Sequence, residues 1–167
     1  MASSPQVEFQ TRSCSPQRSE ALGAALGRLL QAGDVVCLSG PLGAGKTVFC
    51  RGIGAGWGAD RPLTSPTYNL VHEHQRARDS VRLIHVDLYR IVKASDAHSL
   101  GLEDYLAADD IVIVEWAERT PDAWPAQRLW VDIALGAGQQ REIIMEAQGD
   151  RPGALVESLR RQFAETA

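Results

Sequence analysis

The sequence predicts an α/β fold with a mostly parallel central sheet, an antiparallel edge and helices on both faces. Three observations predict it. Short apolar runs such as Asp34–Ser39 and Ile111–Glu115 have the length and β-branched content of buried strands. Early in the chain these runs alternate with helical stripes, the pattern of strands joined by crossovers. Late in the chain Arg128–Leu135 and Glu142–Ala147 are separated only by a turn at Gly136-Ala137-Gly138, the pattern of a hairpin.

Taken in order, Gln6–Thr11 reads as a short first strand after a loose end. Ser15 is a helix cap with Pro16 in the first turn. Leu22, Ala25, Leu26, Leu29 and Leu30 form an i, i+3, i+4 stripe, and Gly33 suits the stop. The strand Asp34–Ser39 runs into a glycine-rich loop. A second helix is expected from near Gly45, fading at Gly54-Ala55-Gly56 because glycine is a poor helix former. Tyr68–His74 and Val81–Asp87 are strand candidates across a polar turn. A short helix over Ser99–Ala107 precedes the strand Ile111–Glu115. Pro152 is expected to open a last amphipathic helix reaching about Phe163.

The chain has 167 residues, 44% hydrophobic and 23% charged, which suits one domain over 1–167 with a core that needs no staple. Seventeen Lys and Arg against 21 Asp and Glu give a net charge of −4, which argues against a protein that grips nucleic acid by its own basic surface. Cys14, Cys37 and Cys50 have no CxxC spacing and are odd in number, so reduced thiols in a cytoplasmic setting are expected. The first residues lack a leader's charged and apolar regions, and no stretch has the length of a membrane span.

The chemistry concentrates in Gly40-Pro41-Leu42-Gly43-Ala44-Gly45-Lys46-Thr47, which satisfies G-x-x-x-x-G-K-[ST] between a strand and a helix. Glycines let successive N–H groups face an anion, and a helix N-terminus adds partial positive charge. Lys46 would reach the β- and γ-phosphates of ATP and Thr47 would offer its hydroxyl to Mg²⁺, which places the sheet in a P-loop NTPase fold. The magnesium also needs a carboxylate at a strand end, and Asp87 and Glu115 both qualify. Ser65-Pro66-Thr67 lies where a nucleotide-sensing switch would, or is an ordinary turn into the next strand.

Four blocks together resemble the TsaE family, the ATPase of bacterial tRNA threonylcarbamoyladenosine biosynthesis. They are Gly40–Thr47, Ser65-Pro66-Thr67-Tyr68-Asn69-Leu70-Val71, His85-Val86-Asp87-Leu88-Tyr89-Arg90 and Val114-Glu115-Trp116; Leu100-Gly101-Leu102-Glu103-Asp104-Tyr105 is similar to the family's short helix. The resemblance covers roughly residues 16–120. It implies that Thr47 and Glu115 hold Mg²⁺ and Lys46 the phosphates. It gives Asp87 to hydrolysis, Ser65 and Thr67 to the first switch, and Trp116 a place close to the nucleotide. It implies a threonylcarbamoyl transferase complex of TsaB–TsaD-like proteins as partner, with tRNA reached through that complex and no membrane. Position 41 departs from the family loop: proline stands where aspartate is usual, removing an N–H and fixing φ.

Other residues invite smaller readings. His72 and His74 alternate on one strand face and His85 precedes Asp87 by two, but a third and fourth ligand at zinc spacing are not evident. Arg76 and Arg78 read as solvated charge in a polar turn, Arg160 and Arg161 as a wet helix face, and Trp124 and Trp130 as packing. Two other functions use the same loop. A small-molecule kinase would need an arginine-rich lid, for which Arg76 and Arg78 are the material. A GTP switch would need Asn-Lys-x-Asp, which Lys93-Ala94-Ser95-Asp96 does not supply.

Overall fold

The computed structural model describes residues 6–65 and 69–164. Seven strands form one sheet in the order β1-β7-β6-β2-β5-β4-β3. They are β1 (Val7–Ser13), β2 (Val35–Ser39), β3 (Val71–His74), β4 (Leu83–Asp87), β5 (Ile111–Glu115), β6 (Arg128–Leu135) and β7 (Arg141–Gln148). The middle strands β6, β2, β5 and β4 run parallel. Antiparallel pairing closes both edges, with β7 and β1 on one side and β3 on the other, where one such edge was expected. The second edge arises because β3 returns to β4 through a tight polar turn, too short for a crossover.

Strand β2 explains the layering. All five of its residues are buried, and successive side chains go to opposite faces. Val36 and Leu38 join a core with α1 (Pro16–Leu29), α2 (Lys46–Trp57) and α4 (Asp150–Ala164). Val35 and Cys37 join a second core beneath a 3-10 segment, Ala94–Leu100, and α3 (Leu102–Ala107). Helices therefore cover both faces, as expected.

Several element bounds differ from the sequence reading for physical reasons. Helix α2 does not fade at Gly54-Ala55-Gly56 but runs to Trp57 and stops at Gly58. A Cβ on Gly52 would lie 2.1 Å from the carbonyl oxygen of Glu20, and one on Gly56 would lie 2.0 Å from that of Ala24. On the facing helix, Gly23 and Gly27 stand as close to the carbonyls of Phe49 and Ile53. These glycines permit two helix backbones to touch, and the contact outweighs their poor propensity. The expected helix Ser99–Ala107 is a 3-10 segment interrupted at Gly101 (φ 70), with α-helix only from Leu102. Helix α4 begins at Asp150, two residues before Pro152, because Gly149 (φ 98) makes the turn. Strand β4 starts at Leu83, and β3 at Val71; the expected start at Tyr68 lies outside the described residues.

Candidate functional site

The four parallel strands end at one edge of the sheet, and the loop Gly40–Thr47 curls over it from β2 into α2. Gly40 is required there: a Cβ would sit 2.3 Å from the Ile133 carbonyl oxygen of β6. Gly43 and Gly45 take φ of 80° and 99°, which side chains rarely adopt. Pro41 is exposed, and its carbonyl closes a turn by accepting from the Ala44 N–H at 3.1 Å. The missing proline N–H therefore breaks no bond that holds this turn.

Lys46 is only 5% exposed. Its Nζ donates to the carbonyls of Gly40 (2.6 Å) and Pro41 (3.0 Å) and sits 3.9 Å from the centroid of the Trp116 ring. Burial lowers its pKa, opposed by the charges of Glu118, Glu115, Asp87 and Asp132. Thr47, one residue on, donates its hydroxyl to Glu115 Oε1 at 2.9 Å. Ser65 Oγ lies 2.8 Å from the same hydroxyl. A hydroxyl has one proton, so with Thr47 committed to the carboxylate, Ser65 is the donor in that second bond.

The strand ends bring the carboxylates together. Asp87 closes β4, Glu115 closes β5, and the two are direct partners in the parallel ladder. Glu115 is 1% exposed, and its other oxygen, Oε2, lies 2.7 Å from His85 Nε2, a bond whose direction is set by the imidazole tautomer. Asp87 Oδ1 accepts from the Tyr89 N–H at 2.9 Å. Burial raises the Asp87 pKa, and the neighbouring Glu115 charge adds to that while the Tyr89 N–H opposes it. Trp116 then adopts the left-handed region (φ 60), uncommon for a bulky side chain and characteristic of functional turns. Its indole lies 5.1 Å from the Tyr89 ring, with the Arg119 guanidinium 5.1 Å from its own centroid.

These groups surround a cavity of about 470 Å³ that Lys46, Thr47, Ser65, Asp87, Glu115 and Trp116 all line. Thr47, Ser65 and Glu115, read separately from the sequence, are thus joined by hydrogen bonds through the Thr47 hydroxyl, and Lys46 and Asp87 line the same cavity. Thr67 lies outside the described residues. The oxygen set of Thr47, Ser65, Glu115 and Asp87 is hard and anionic, the kind that suits Mg²⁺.

Some residues differ from their sequence reading. Arg76 is not solvated: its side chain is 8% exposed, paired with Asp79 at 2.6 Å and stacked 4.6 Å from the Trp57 ring. Arg160 pairs with Glu157 and donates to the Glu8 carbonyl, so part of that face is engaged. His85 gains a partner that spacing did not reveal, because Cys50 lies on another element: Cys50, His85 and Glu115 have their ligand atoms within 4.8 Å of one another. Burial raises the Cys50 thiol pKa well above its usual value, so it remains a protonated packing group. The contact of His85 with Glu115 was also missed; its sequence signal was the period-2 spacing that puts His85 and Asp87 on one side of β4.

Comparison with known proteins follows the same residues. Residues 13–143 match the family described as threonylcarbamoyl adenosine biosynthesis protein TsaE. The protein of that name from Bacillus subtilis (strain 168) is 34% identical, over 92% of this chain and 95% of its own. That from Streptomyces coelicolor is 39% identical, over 78% and 90%. A crystal structure of YdiB from Bacillus subtilis superposes with a TM-score of 0.79 at 30% identity, covering 96% of this chain and 99% of that one. No helix among the described residues is long and apolar enough to cross a membrane.

Proposed function

The chain belongs to the TsaE family of tRNA threonylcarbamoyladenosine biosynthesis proteins, and from that membership we propose that it is a Mg²⁺-dependent P-loop ATPase. The observation that carries the reading is the bond between Thr47 and Glu115, 68 residues apart, at the mouth of a loop that ends in a buried lysine. A hydroxyl joined to a carboxylate beside an ammonium is the donor set that a nucleotide–magnesium pair requires.

In this reading Lys46 exchanges its loop carbonyls for the β- and γ-phosphates of ATP, and Gly40, Pro41, Leu42, Gly43, Ala44 and Gly45 form the cradle. Thr47 and Glu115 would hold Mg²⁺, which would supply neutralisation of the charge that develops on the phosphate oxygens. Asp87 orients the attacking water, Ser65 and Thr67 sense the γ-phosphate, and Trp116 covers the nucleotide beside Lys46. Hydrolysis serves a threonylcarbamoyl transferase complex of TsaB–TsaD-like proteins in the cytoplasm. The net charge of −4 fits tRNA contacts made by those partners rather than by this chain. The small-molecule kinase reading loses one of its two lid arginines, since Arg76 is bound to Asp79 and Trp57 while Arg78 stays exposed.

The test is ATP turnover by the purified chain and by Lys46→Ala and Thr47→Ala, with GTP and phosphoryl acceptors as comparisons. Both variants should fold and lose hydrolysis. Near-normal turnover in either one sinks the assignment.

A further inference from the structure

We propose that Arg141, at the start of β7, is a positioning residue that sets the phosphate-facing peptides of the Gly40–Thr47 loop from behind. All three nitrogens of its guanidinium are used. Nε donates to the Ala44 carbonyl at 3.1 Å and Nη2 to the Gly43 carbonyl at 3.2 Å. Nη1 donates to the carbonyls of Gly138 (3.2 Å) and Gln140 (2.8 Å) in the exposed β6–β7 turn. One planar fork thus ties the loop to a hairpin some 97 residues away.

Peptide geometry gives the tie its consequence. The Gly43 carbonyl and the Ala44 N–H share one trans plane, and so do the Ala44 carbonyl and the Gly45 N–H. Anchoring both oxygens toward Arg141 turns both N–H groups away from it, that of Ala44 onto the Pro41 carbonyl at 3.1 Å. The segment is a wall between two spaces: Gly43 and Gly45 line the 470 Å³ cavity with Lys46 and also a cavity of about 260 Å³ on the Arg141 side. Gly43 and Gly45 both have positive φ, so the segment's own torsional preferences hold it weakly and an external grip decides its orientation.

Four of the loop's carbonyls divide between two cations. Lys46 holds those of Gly40 and Pro41, and Arg141 holds those of Gly43 and Ala44. An ammonium that turns to phosphate must release its carbonyls. Arg141 faces the other cavity and keeps its grip when ligand arrives. The loop therefore retains its shape at the moment Lys46 leaves it.

The inference rests on the nucleotide-binding reading for its effect on ATP, but its structural half can be read without nucleotide. The experiment compares wild type, Arg141→Ala and Arg141→Lys by amide hydrogen exchange of residues 40–45 in the nucleotide-free protein. It adds ATP affinity, the KM and kcat for ATP, and rescue by millimolar ethylguanidinium. Arg141→Ala should speed exchange in the loop at least tenfold. It should raise Kd and KM for ATP at least tenfold while kcat at saturation changes less than threefold. Ethylguanidinium should restore affinity in Arg141→Ala and do nothing to wild type. Arg141→Lys should fall between, since one ammonium cannot reproduce the fork; it carries the comparison if the alanine variant does not fold. Unchanged loop exchange in the folded variants overturns the proposal whatever happens to affinity. If wild type binds no nucleotide, the ATPase reading fails instead, and loop exchange alone decides the role of Arg141.

Discussion

Replacing Gly56 by alanine and replacing Gly153 by alanine should move stability in opposite directions, although both glycines lie inside helices. On propensity alone each change adds about 1 kcal/mol of stability. At Gly153 the new methyl would meet Val7 Cγ2 at 3.5 Å, an ordinary contact, so the gain survives. At Gly56 it would meet the Ala24 carbonyl oxygen at 2.0 Å, with the carbonyl carbon at 2.7 Å and Cα at 2.8 Å. These are backbone atoms of α1 and cannot rotate aside, and real Cβ contacts stop near 3.0 Å, so the helices must part by about 1 Å. Overpacking of this kind costs about 1–3 kcal/mol. Taking the upper part of that range and subtracting the propensity gain leaves a loss of about 2 kcal/mol, or about 4–8 °C in Tm for a domain of this size. Gly153→Ala should instead raise Tm by about 2 °C. Thermal melting of the nucleotide-free proteins, followed by circular dichroism in one buffer, reads both. A Gly56→Ala protein that gains stability as Gly153→Ala does would show that the glycines of α2 do not let backbones touch, and the account of the α1–α2 contact would be wrong.

The two site carboxylates should separate under Mg²⁺ titration: Glu115→Gln should raise the magnesium needed for turnover, while Asp87→Asn should slow hydrolysis with nucleotide still bound. The reverse result would transfer the metal to Asp87. ATP or ADP should change intrinsic fluorescence, and Trp116→Phe should remove most of the change; a signal surviving there and lost on changing Trp57, Trp124 or Trp130 would displace Trp116 from the nucleotide. Buried His74 has its pKa lowered to about 4 by burial, and by Arg61 and His85 nearby, with Asp60 opposing. An unfolded histidine titrates near 6.5, so between those values the unfolded chain takes up a proton that the folded one refuses, and stability falls as pH falls. The loss should approach about 3 kcal/mol by pH 4, and urea unfolding at pH 7 and 4.5 should show a shallower pH slope for His74→Gln.

How far the sequence revealed this arrangement depended on whether a signal was local. The loop Gly40–Thr47 was legible because its chemistry and its strand–helix setting are contiguous. So were β5 and β2, whose apolar runs are as long as the strands themselves. The glycines of α2 misled because propensity is a property of one residue, whereas their role is defined by carbonyls of α1 more than thirty residues earlier. Arg76 misled in the same way: a polar turn suggests solvent, and only the fold puts the Trp57 ring beside it. His85 left only its period-2 spacing with Asp87 as a signal, and Arg141 lay beyond reach because nothing in the chain between it and its partners records the contact.

The register of β4 against β5 makes Asp87 and Glu115 equal in topology, since each ends a parallel strand at the same edge. What distinguishes them is where their oxygens go. Glu115 is held from two directions by groups on different elements, Thr47 on α2 at one oxygen and His85 on β4 at the other. A carboxylate fixed at both oxygens has few orientations left, and its Thr47-facing oxygen already points at the hydroxyl that the metal site requires. Asp87 is tied at one oxygen to the Tyr89 N–H, part of its own turn, and among the described residues Oδ2 has no hydrogen-bond donor. That oxygen is the one free to meet a water. Hydrogen bonding, rather than strand position, is what supports the division of labour proposed for the pair. It also extends the magnesium experiment: His85→Phe, which frees Glu115 Oε2 without touching the nucleotide cavity, should raise the magnesium requirement several-fold and leave that of an Asp87→Asn background raised by the same factor. A His85→Phe protein with an unchanged magnesium requirement would mean that Thr47 alone orients Glu115.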